Sequence, residues 1–527
     1  MKNIAVLSIL TMALSHAHAS GPKVCAAVRG NGQWIFTHFA ALARLTENYG
    51  LMEAMAGGSS GSITTFFYES MLLNKAVTGT PRERALKVAF LLKSLEEYLD
   101  VVRNSPEGLA IEGLAGFAKL LKEKKIDEMI MGRKFSEAAD ALDTLFESKD
   151  LRSIANRNLV KAVRAGRTNE LVQMLAGFGA FKAGDKSIFF RPGFVDFDKV
   201  PALLGKVADF YAGRGPGEQR AKMARLLNRC ATPAISEGEL WVEIKDRTPE
   251  CVSGIRTLIV AYRDSYDPNG NFDHRLFDKI GAKLRSFIST SILKGADLVN
   301  QFKDQQERYL ADPMHELSFN IDFDRVKFGY WGRPADLIDV EKNFKNTFDA
   351  KSHKFLPLGP RDSNKIEETE WMEALRTSPA EPGLSAIQPI NDELLSAGGW
   401  SDLHPVMVLK AVGCENVAYI TRHDPESDFA IGVAKQLGMT DEEENALYTL
   451  GNQPGRDISS FQRSLNMADG IWCTEWDKFG GFEIPDMVRN AYRTPLITES
   501  PFFEAPRGTR PPRLVKHSQK VGCSMTQ

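Results

Sequence analysis

The sequence has little cysteine, almost no net charge and no long hydrophobic run. Six cysteines in 527 residues are too few for a disulfide scaffold, and no C-x-x-C pair or Cys/His cluster indicates a zinc site. The 66 basic and 68 acidic residues leave a net charge of −2, which gives no global electrostatic reason to expect nucleic-acid or anionic-membrane binding. No stretch of about 18 apolar residues predicts a transmembrane helix. The composition, 43% hydrophobic and 25% charged, is that of an ordinary globular protein.

The first 19 residues resemble a secretory signal peptide. Lys2 supplies one positive charge, residues 4–14 form a short apolar run, and Ala17-His18-Ala19 matches an A-x-A cleavage site before Ser20. An amphipathic first helix is the alternative interpretation. The sequence predicts a protein that is exported, either to the periplasm or out of the cell, after cleavage near Ala19 and Ser20. In such a compartment Cys230, Cys251, Cys414, Cys473 and Cys523 could form disulfides, although their spacing identifies no pair.

Two short apolar runs near the amino terminus are each followed by a glycine-containing turn and a helical pattern. Residues 23–28 precede the first turn, and apolar residues at helical spacing over 33–48 follow it. Residues 51–56 precede the second turn, and 62–73 again have a helical pattern. A repeated strand, turn and helix is typical of α/β folds. The sequence therefore predicts an α/β fold with a mostly parallel sheet flanked by helices.

Amphipathic helices dominate the next part of the chain. Thr80-Pro81-Arg82-Glu83 is a capping box with proline at the first helical position, which predicts that a helix begins there. Further helical patterns cover about 108–131, 135–148, 158–178 and 217–230. We therefore predict a large helical insertion over about 75–315, which either packs as helical core or covers a binding cleft.

Strand-like character returns after residue 315. A helix is predicted over about 404–412 and a buried strand over 417–421. The last segment, 501–527, is rich in proline and basic residues, which predicts a solvated tail or, alternatively, a docking arm. The predicted organisation is a signal peptide at 1–19, one α/β domain at 20–500 with its core in about 22–75 and 315–500, and the tail at 501–527.

Gly57-Gly58-Ser59-Ser60-Gly61 matches the G-x-S-x-G pattern of a nucleophile elbow. In such a strand-to-helix turn the central serine exposes its hydroxyl, and glycines at positions such as Gly57 and Gly61 let neighbouring backbones pass closely. The helix that follows directs free N–H groups toward the turn, which favours developing negative charge. The position between an apolar run and a helical pattern predicts that Ser59 is a catalytic nucleophile.

Gly30-Asn31-Gly32 lies at the earlier strand-to-helix turn. Adjacent parallel strands end at one edge of a sheet, where ligands bind. We therefore expect this turn to face the same site as Ser59. The backbone N–H groups of Gly30, Asn31 and Gly32 are candidates for an oxyanion hole. An ordinary glycine-rich turn is the alternative.

Together with a third segment, these two motifs resemble the patatin-like phospholipase family. Residues 375–383 and 397–405 are similar to the family's Ala-Ser-x-Ala-x-Pro segment and to the Asp-Gly-Gly/Ala and Asn-x-Pro motif that follows it. The matching blocks cover about 24–75 and 370–425. The resemblance implies a mostly parallel α/β sheet, a Ser/Asp dyad without histidine, and hydrolysis of lipid acyl esters. A serine needs such a base because its hydroxyl holds its proton tightly at neutral pH.

The sequence departs from the family pattern at the catalytic base. Ala397 stands where the family has its aspartate. The nearest carboxylate that follows it in the sequence is Asp402, which aligns with a second acidic position of some members. One interpretation is that Asp402 replaces the base. A triad of Ser59 with His404 or His423 is another, and a non-catalytic relative of the family is the third.

The resemblance thus implies an exported enzyme of the phospholipase A or lysophospholipase type, with Ser59 and Asp402 as catalytic residues and without metal or cofactor. The expected partner is a lipid or phospholipid substrate, met during transient contact with a membrane surface, and not a nucleic acid. An inert lipid-binding or interaction protein on the same fold is the rival prediction.

Overall fold

The fold is described from a computed structural model of the chain. The structure describes residues 23–31, 35–102, 125–147, 158–165, 200–214, 217–265, 283–293, 297–311, 327–344, 353–358, 370–380, 388–390, 393–398, 405–422, 466–474 and 484–516. The predicted signal peptide at 1–19 lies outside these ranges and stays a prediction.

The described residues form one mixed sheet of 11 strands. In chain order they are β1 Val24–Val28, β2 Ala54–Gly58, β3 Arg285–Leu293, β4 Lys327–Gly332, β5 His353–Pro357, β6 Gln388–Ile390, β7 Glu393–Ser396, β8 Asn416–Arg422, β9 Gly470–Thr474, β10 Leu496–Thr498 and β11 Leu514–Val515. Neighbouring strands follow the order β11-β10-β9-β8-β1-β2-β3-β4-β5, with β7 paired to β3 and β6 paired to β7.

The centre of the sheet is parallel. Strands β9, β8, β1, β2 and β3 all run in one direction, whereas antiparallel pairs occur further out, at β3–β4 and β9–β10. The turns after β1, β2 and β8 therefore lie at the same edge. Because β2 and β8 flank β1 on opposite sides, the chain order reverses at β1, and open α/β sheets bind ligands at such a reversal.

Helices cover both faces of the sheet. In chain order they are α1 Ile35–Tyr49, α2 Ser60–Leu73, α3 Pro81–Lys93, α4 Leu95–Val102, α5 Ile126–Met131, α6 Phe135–Glu147, α7 Asn158–Arg164, α8 Val200–Tyr211, α9 Gly217–Cys230, α10 Pro233–Ser236, α11 Trp241–Arg247, α12 Pro249–Ser265, α13 Leu298–Ala311, α14 Pro334–Phe344, α15 Glu370–Thr377, α16 Val406–Ala411, α17 Ile484–Arg493 and α18 Pro501–Glu504.

Side chains of the central strands alternate between two apolar clusters, one on each face. On the first face, Ala26 and Val28 of β1 pack in one cluster with residues of α1 to α4. On the second face, Cys25 and Ala27 pack with residues of α14 and α16. The predicted α/β fold is confirmed in this form, as a mixed sheet with a parallel centre between two layers of helices.

The structure corrects the predicted extent of the helical insertion. β3 lies beside β2 in the centre of the sheet, although the sequence predicts helical insertion up to about residue 315. In the described parts of 75–265 the regular elements are helices. The insertion therefore ends before β3, and the second part of the core begins near residue 283.

Disulfides link one pair of elements that is distant in sequence and one pair that is closer. Cys25 of β1 is bonded to Cys414 after α16, and Cys230 of α9 is bonded to Cys251 of α12. Cys473 of β9 is also disulfide-bonded. Every cysteine in the described part of the chain is therefore oxidised.

The segment that follows β10 docks on the domain. The Tyr49 hydroxyl donates to the Phe503 carbonyl at 3.0 Å, and the side chain of Phe503 is fully buried. The Arg507 N–H donates to the Asn48 carbonyl at 2.8 Å, and β11 pairs with β10. The predicted solvated tail is wrong for 501–516, where the alternative of a docking arm describes the chain.

Candidate active site

Ser59 lies at a strained turn between β2 and α2. Its φ of 51° and ψ of −123° are a backbone conformation that non-glycine residues rarely adopt. β2 ends at Gly58 and α2 begins at Ser60, so this single serine connects strand to helix. Ser59 is partly exposed, whereas Gly58 and Ser60 are buried. This is the strand-to-helix turn that the G-x-S-x-G pattern predicts.

Close backbone contacts require the glycines on either side of Ser59. A Cβ atom on Gly57 would lie 2.2 Å from the carbonyl oxygen of Gly61, and a Cβ atom on Gly61 would lie 2.4 Å from the carbonyl oxygen of Val28. Both distances are far inside van der Waals contact, and the neighbours are backbone atoms that cannot rotate away. Glycine at these two positions lets the start of α2 pack directly on β2 and on the end of β1.

The start of α2 supplies hydrogen-bond donors at the turn. The first N–H groups of this helix have no acceptor within the helix. The N–H and the hydroxyl of Ser62 both donate to the Ser59 carbonyl, at 2.9 and 2.6 Å, and fix the turn. The N–H of Ser60 is the donor that elbows of this kind contribute to an oxyanion hole. The helix dipole adds to the preference for negative charge at this point.

The turn after β1 contacts the elbow directly. The Asn31 N–H donates to Ser60 Oγ at 2.8 Å. The Asn31 side chain is 2% exposed, and neither of its amide atoms has a hydrogen-bond partner among the described residues. Because the Asn31 N–H is already bonded to Ser60 Oγ, it would have to give up this bond before it could donate to an oxyanion. Gly30 is partly exposed beside it, and Gly32 lies outside the described residues.

The third predicted segment lies beside the elbow. The Ser59 N–H donates to Ser378 Oγ at 2.9 Å, and the Gly398 N–H donates to the Ser378 carbonyl at 3.0 Å. A Cβ atom on Gly398 would lie 2.3 Å from the carbonyl oxygen of Ser289. Ser289 of β3 is paired with Gly58 of β2. Three motifs that are far apart in sequence therefore meet at one edge of the sheet.

Ala397 is buried, and its backbone is bonded on both sides. Its N–H donates to the Ala380 carbonyl at 3.2 Å, and its carbonyl accepts from Ser291 Oγ at 2.6 Å. Its side chain has no group that accepts a proton, so this residue cannot act as a base for Ser59. The three residues predicted to take that role lie outside the described residues: Asp402, His404 and His423.

A buried histidine that the sequence predictions missed lies behind the elbow. His38 of α1 has Nδ1 2.9 Å from Thr64 Oγ1. Thr64 Oγ1 also lies 3.2 Å from the Ser60 carbonyl, and His38 Nε2 has no hydrogen-bond partner among the described residues. Burial, and next the positive charges of Arg422 and Arg29, lower the pKa of His38 to about 3. The ring is therefore neutral at neutral pH. Its sequence signal is a single polar residue on the apolar face of the predicted first helix.

Two buried arginines lie where the order of the strands reverses. Arg29 directly follows β1 and Arg422 ends β8, and they are 5% and 7% exposed. Arg29 Nη1 donates to the Arg422 carbonyl at 3.5 Å. The sequence predictions gave neither residue a role. They place positive charge at the carboxyl edge of the sheet, beside the turn that carries Gly30 and Asn31, where it favours an anionic group.

The described residues combine a serine on a strained elbow, the amino terminus of a helix and nearby positive charge. These are the elements that attack on a carbonyl carbon requires, except for the base. The described residues contain no group of three or more His, Cys, Asp or Glu side chains that could hold a metal ion. Among the described helices, none is both long and apolar enough to cross a membrane.

Comparison with known proteins gives no match to this chain, whether with protein families, with curated proteins or with solved structures. The function is therefore inferred from the geometry around Ser59 and from the three motifs.

Proposed function

We propose that this protein is an exported, patatin-like serine acyl hydrolase that cleaves lipid acyl esters, of the phospholipase A or lysophospholipase type. The observation that carries the proposal is the conformation of Ser59, held at φ 51° between a central parallel strand and a helix. Backbone strain of this kind costs of order 1–3 kcal/mol and is found most often at functional sites. Here the bond to Ser378 and the close contacts of Gly57 and Gly61 maintain it.

In the proposed reaction, Ser59 Oγ attacks the ester carbonyl while Asp402 takes the serine proton. The carbonyl oxygen becomes an oxyanion that accepts from the N–H of Ser60 and from the turn at 30–32. The carbon–oxygen bond of the ester then breaks, and the leaving alcohol receives the proton from Asp402. Water attacks the resulting acyl-serine with the same carboxylate as base, which releases the fatty acid and restores Ser59.

The position of Gly398 supports Asp402 as the base. Gly398 bonds to the Ser378 carbonyl, and the Ser378 hydroxyl accepts from the Ser59 N–H. Asp402 follows Gly398 by four residues, and four residues of chain extend at most about 14 Å. This length of chain allows the approach of the Asp402 carboxylate to the Ser59 hydroxyl that the proposal requires.

The disulfides support export. Cys25–Cys414 and Cys230–Cys251 are bonds that persist in oxidising compartments and are rare in the cytosol. They agree with the signal-like composition of residues 1–19. The proposal predicts a mature chain that begins at Ser20, which mass spectrometry of the exported protein measures.

Ala397 favours a second candidate function, an inert lipid-binding or interaction protein on the same fold. An alanine stands at the position where the resemblance places the catalytic aspartate. Its backbone is fixed by the hydrogen bond that its N–H donates to the Ala380 carbonyl and by the one that its carbonyl accepts from Ser291 Oγ. In that protein the Ser59 turn would be a structural feature without turnover.

Labelling with a fluorophosphonate probe separates the two functions. The probe reacts with an activated serine, so we expect covalent labelling at Ser59, located by peptide mass spectrometry, and no labelling of Ser59→Ala. In Asp402→Asn we expect ester hydrolysis to fall at least about a hundredfold with unchanged unfolding. Liposome binding without labelling or turnover would favour the inert protein.

A further inference from the structure

A cleft lies at the edge of the sheet opposite Ser59. Its wall includes Lys23, which precedes β1, Glu53, which precedes β2, and Lys283, which precedes β3. Ser59 follows the other end of β2, and a strand of this length separates the two edges by about 16 Å at roughly 3.3 Å per residue. The cleft has a volume of about 520 Å³, which is the size of sites for small ligands. It is therefore separate from the proposed active site.

Four cationic side chains on the wall of this cleft have no ion-pair partner among the described residues. They are Lys23, Arg84, Lys283 and Arg507, and each is at least partly exposed. Glu53 is the only acidic residue that lines the cleft in the described part of the chain. The charge on the wall is therefore strongly positive although the whole chain is almost neutral.

Three further arginines on the wall are held in place by acids outside the cleft. Arg285 and Arg333 share Asp336, at 3.4 and 2.6 Å, and Arg82 binds Glu237 at 2.6 Å. Asp336 is 5% exposed and Glu237 is fully buried. These acids position the guanidinium groups, each of which has more N–H donors than one carboxylate occupies.

Apolar side chains complete the wall. Leu51, Leu72 and Phe502 line the cleft and are partly exposed, and Met52 lies beneath them in the apolar core. A ligand with one anionic and one apolar part can contact both kinds of surface.

We infer that this cleft binds a phosphoryl-bearing anion with two or more negative charges. Guanidinium groups match phosphate oxygens with paired hydrogen bonds, and several of them together favour a multivalent phosphate over a single carboxylate. A concave site with one sign of charge also concentrates anions of the opposite sign. The phosphoryl group belongs either to a phospholipid headgroup or to a soluble phosphate compound. Binding here does not depend on hydrolysis at Ser59.

The test measures binding of two probes to the mature full chain. The first probe is sodium pyrophosphate, followed by calorimetry, and the second is phosphatidylcholine vesicles with and without phosphatidic acid, followed by co-sedimentation. The cleft variant is Arg84→Gln with Lys283→Gln. The matched control is Lys161→Gln with Lys303→Gln, which removes the same charge from exposed lysines that do not line the cleft. If the cleft variant fails to fold, the single variant Arg507→Gln replaces it.

We expect at least one probe to bind, and binding to weaken at least tenfold in the cleft variant but less than twofold in the control. Binding of pyrophosphate identifies a soluble phosphate compound as a ligand, and binding of phosphatidic acid vesicles alone identifies a lipid headgroup. Absence of binding to both probes would overturn the inference. An equal loss of binding in the cleft variant and the control would overturn it as well, because the effect would then follow global charge.

Discussion

The backbone N–H of Ser59 donates a 2.9 Å hydrogen bond to the hydroxyl of Ser378, which lies 319 residues further along the chain. The carbonyl of the same Ser378 accepts the N–H of Gly398. One residue thus connects the strained serine turn to the segment that leads to Asp402. In the proposed reaction Ser378 is a positioning residue, because it acts through the conformation of Ser59.

Ser378→Ala is expected to lower kcat about tenfold with little change in KM. The substitution leaves the N–H of Ser59 without its acceptor, which costs about 1–3 kcal/mol, and it loosens the turn that holds the nucleophile. Ser378→Thr keeps a hydroxyl and is expected to restore most of the rate. Steady-state kinetics on p-nitrophenyl esters measure both.

Ser396→Ala is the control for this variant. Ser396 is also fully buried and donates to the Ala380 carbonyl at 3.3 Å, but it has no bond to Ser59. Equal losses of kcat in Ser378→Ala and Ser396→Ala would contradict a positioning role for Ser378.

Gly57→Ala is expected to destabilise the fold by about 3 kcal/mol, the upper end of the usual cost of overpacking, because the atoms that its Cβ would meet belong to the backbone. Its Cβ atom would lie 2.2 Å from the Gly61 carbonyl oxygen. Gly217→Ala is the matched control, since the nearest atom to that Cβ is 3.8 Å away, on the Arg220 side chain. Urea unfolding measures both variants. Similar midpoints for the two would show that the elbow is less tightly packed than described.

His38 is expected to make folding stability depend on pH. Its pKa is about 3 in the folded chain and about 6.5 in an unfolded one. Between these values the unfolded state binds a proton that the folded state does not, so stability falls as the pH drops below about 6.5. The slope from this residue is up to about 1.4 kcal/mol per pH unit.

His38→Gln removes this contribution. Between pH 6.5 and pH 5, the unfolding free energy of the variant should therefore rise by up to about 2 kcal/mol relative to that of the wild type. Urea unfolding at the two pH values measures the difference. A constant difference between variant and wild type would mean that His38 is not buried in its neutral form.

The disulfides Cys25–Cys414 and Cys230–Cys251 are expected to contribute unequally to stability. Cys25–Cys414 closes a separation of 389 residues and Cys230–Cys251 one of 21, and in the chain-entropy description the longer loop stabilises by about 2–3 kcal/mol more. Replacing each pair by alanine and measuring the unfolding free energy tests this difference. The comparison is matched because the cysteines of both pairs are buried. A larger loss of unfolding free energy for the Cys230–Cys251 pair would contradict this account.

Local patterns in the sequence were sufficient for the elements beside the site. The capping box predicted at Thr80 is present, with the Glu83 N–H donating to Thr80 Oγ1 at 3.3 Å and the Thr80 N–H donating to the Glu83 carboxylate at 2.7 Å. The predicted runs at 23–28 and 417–421 are β1 and β8, which pair in parallel. Short-range hydrogen bonds and apolar periodicity determine these features, so the sequence contains them.

β3 could not be recognised because polar residues occupy several of its buried positions, between apolar ones. Ser286, Thr290 and Ser291 are fully buried in this strand, where an apolar run is the usual signal. Their hydroxyls bond to the Glu69 carboxylate and to the carbonyls of Ser396 and Ala397. These partners are distant in sequence, so nothing local shows that the serines and threonine can be buried.

The docking of 501–516 was hidden for a related reason. The basic residues of this segment indicate a solvated tail, but Arg510 pairs with Glu239 and the Thr509 N–H bonds to Glu237. Both acids belong to the helical insertion. Ion pairs and hydrogen bonds between segments that are far apart in sequence can be recognised only in the folded structure.

Hydrolysis of a p-nitrophenyl acyl ester by the wild type and by Ser59→Ala tests the central claim most directly. We expect the wild type to turn over the ester and Ser59→Ala to lose at least about a thousandfold of kcat/KM, while Ser70→Ala keeps nearly full activity. Ser70 is a buried serine of α2, the helix that follows Ser59, and its hydroxyl donates to the Phe66 carbonyl at 2.8 Å. Turnover that is unchanged in Ser59→Ala would contradict the account.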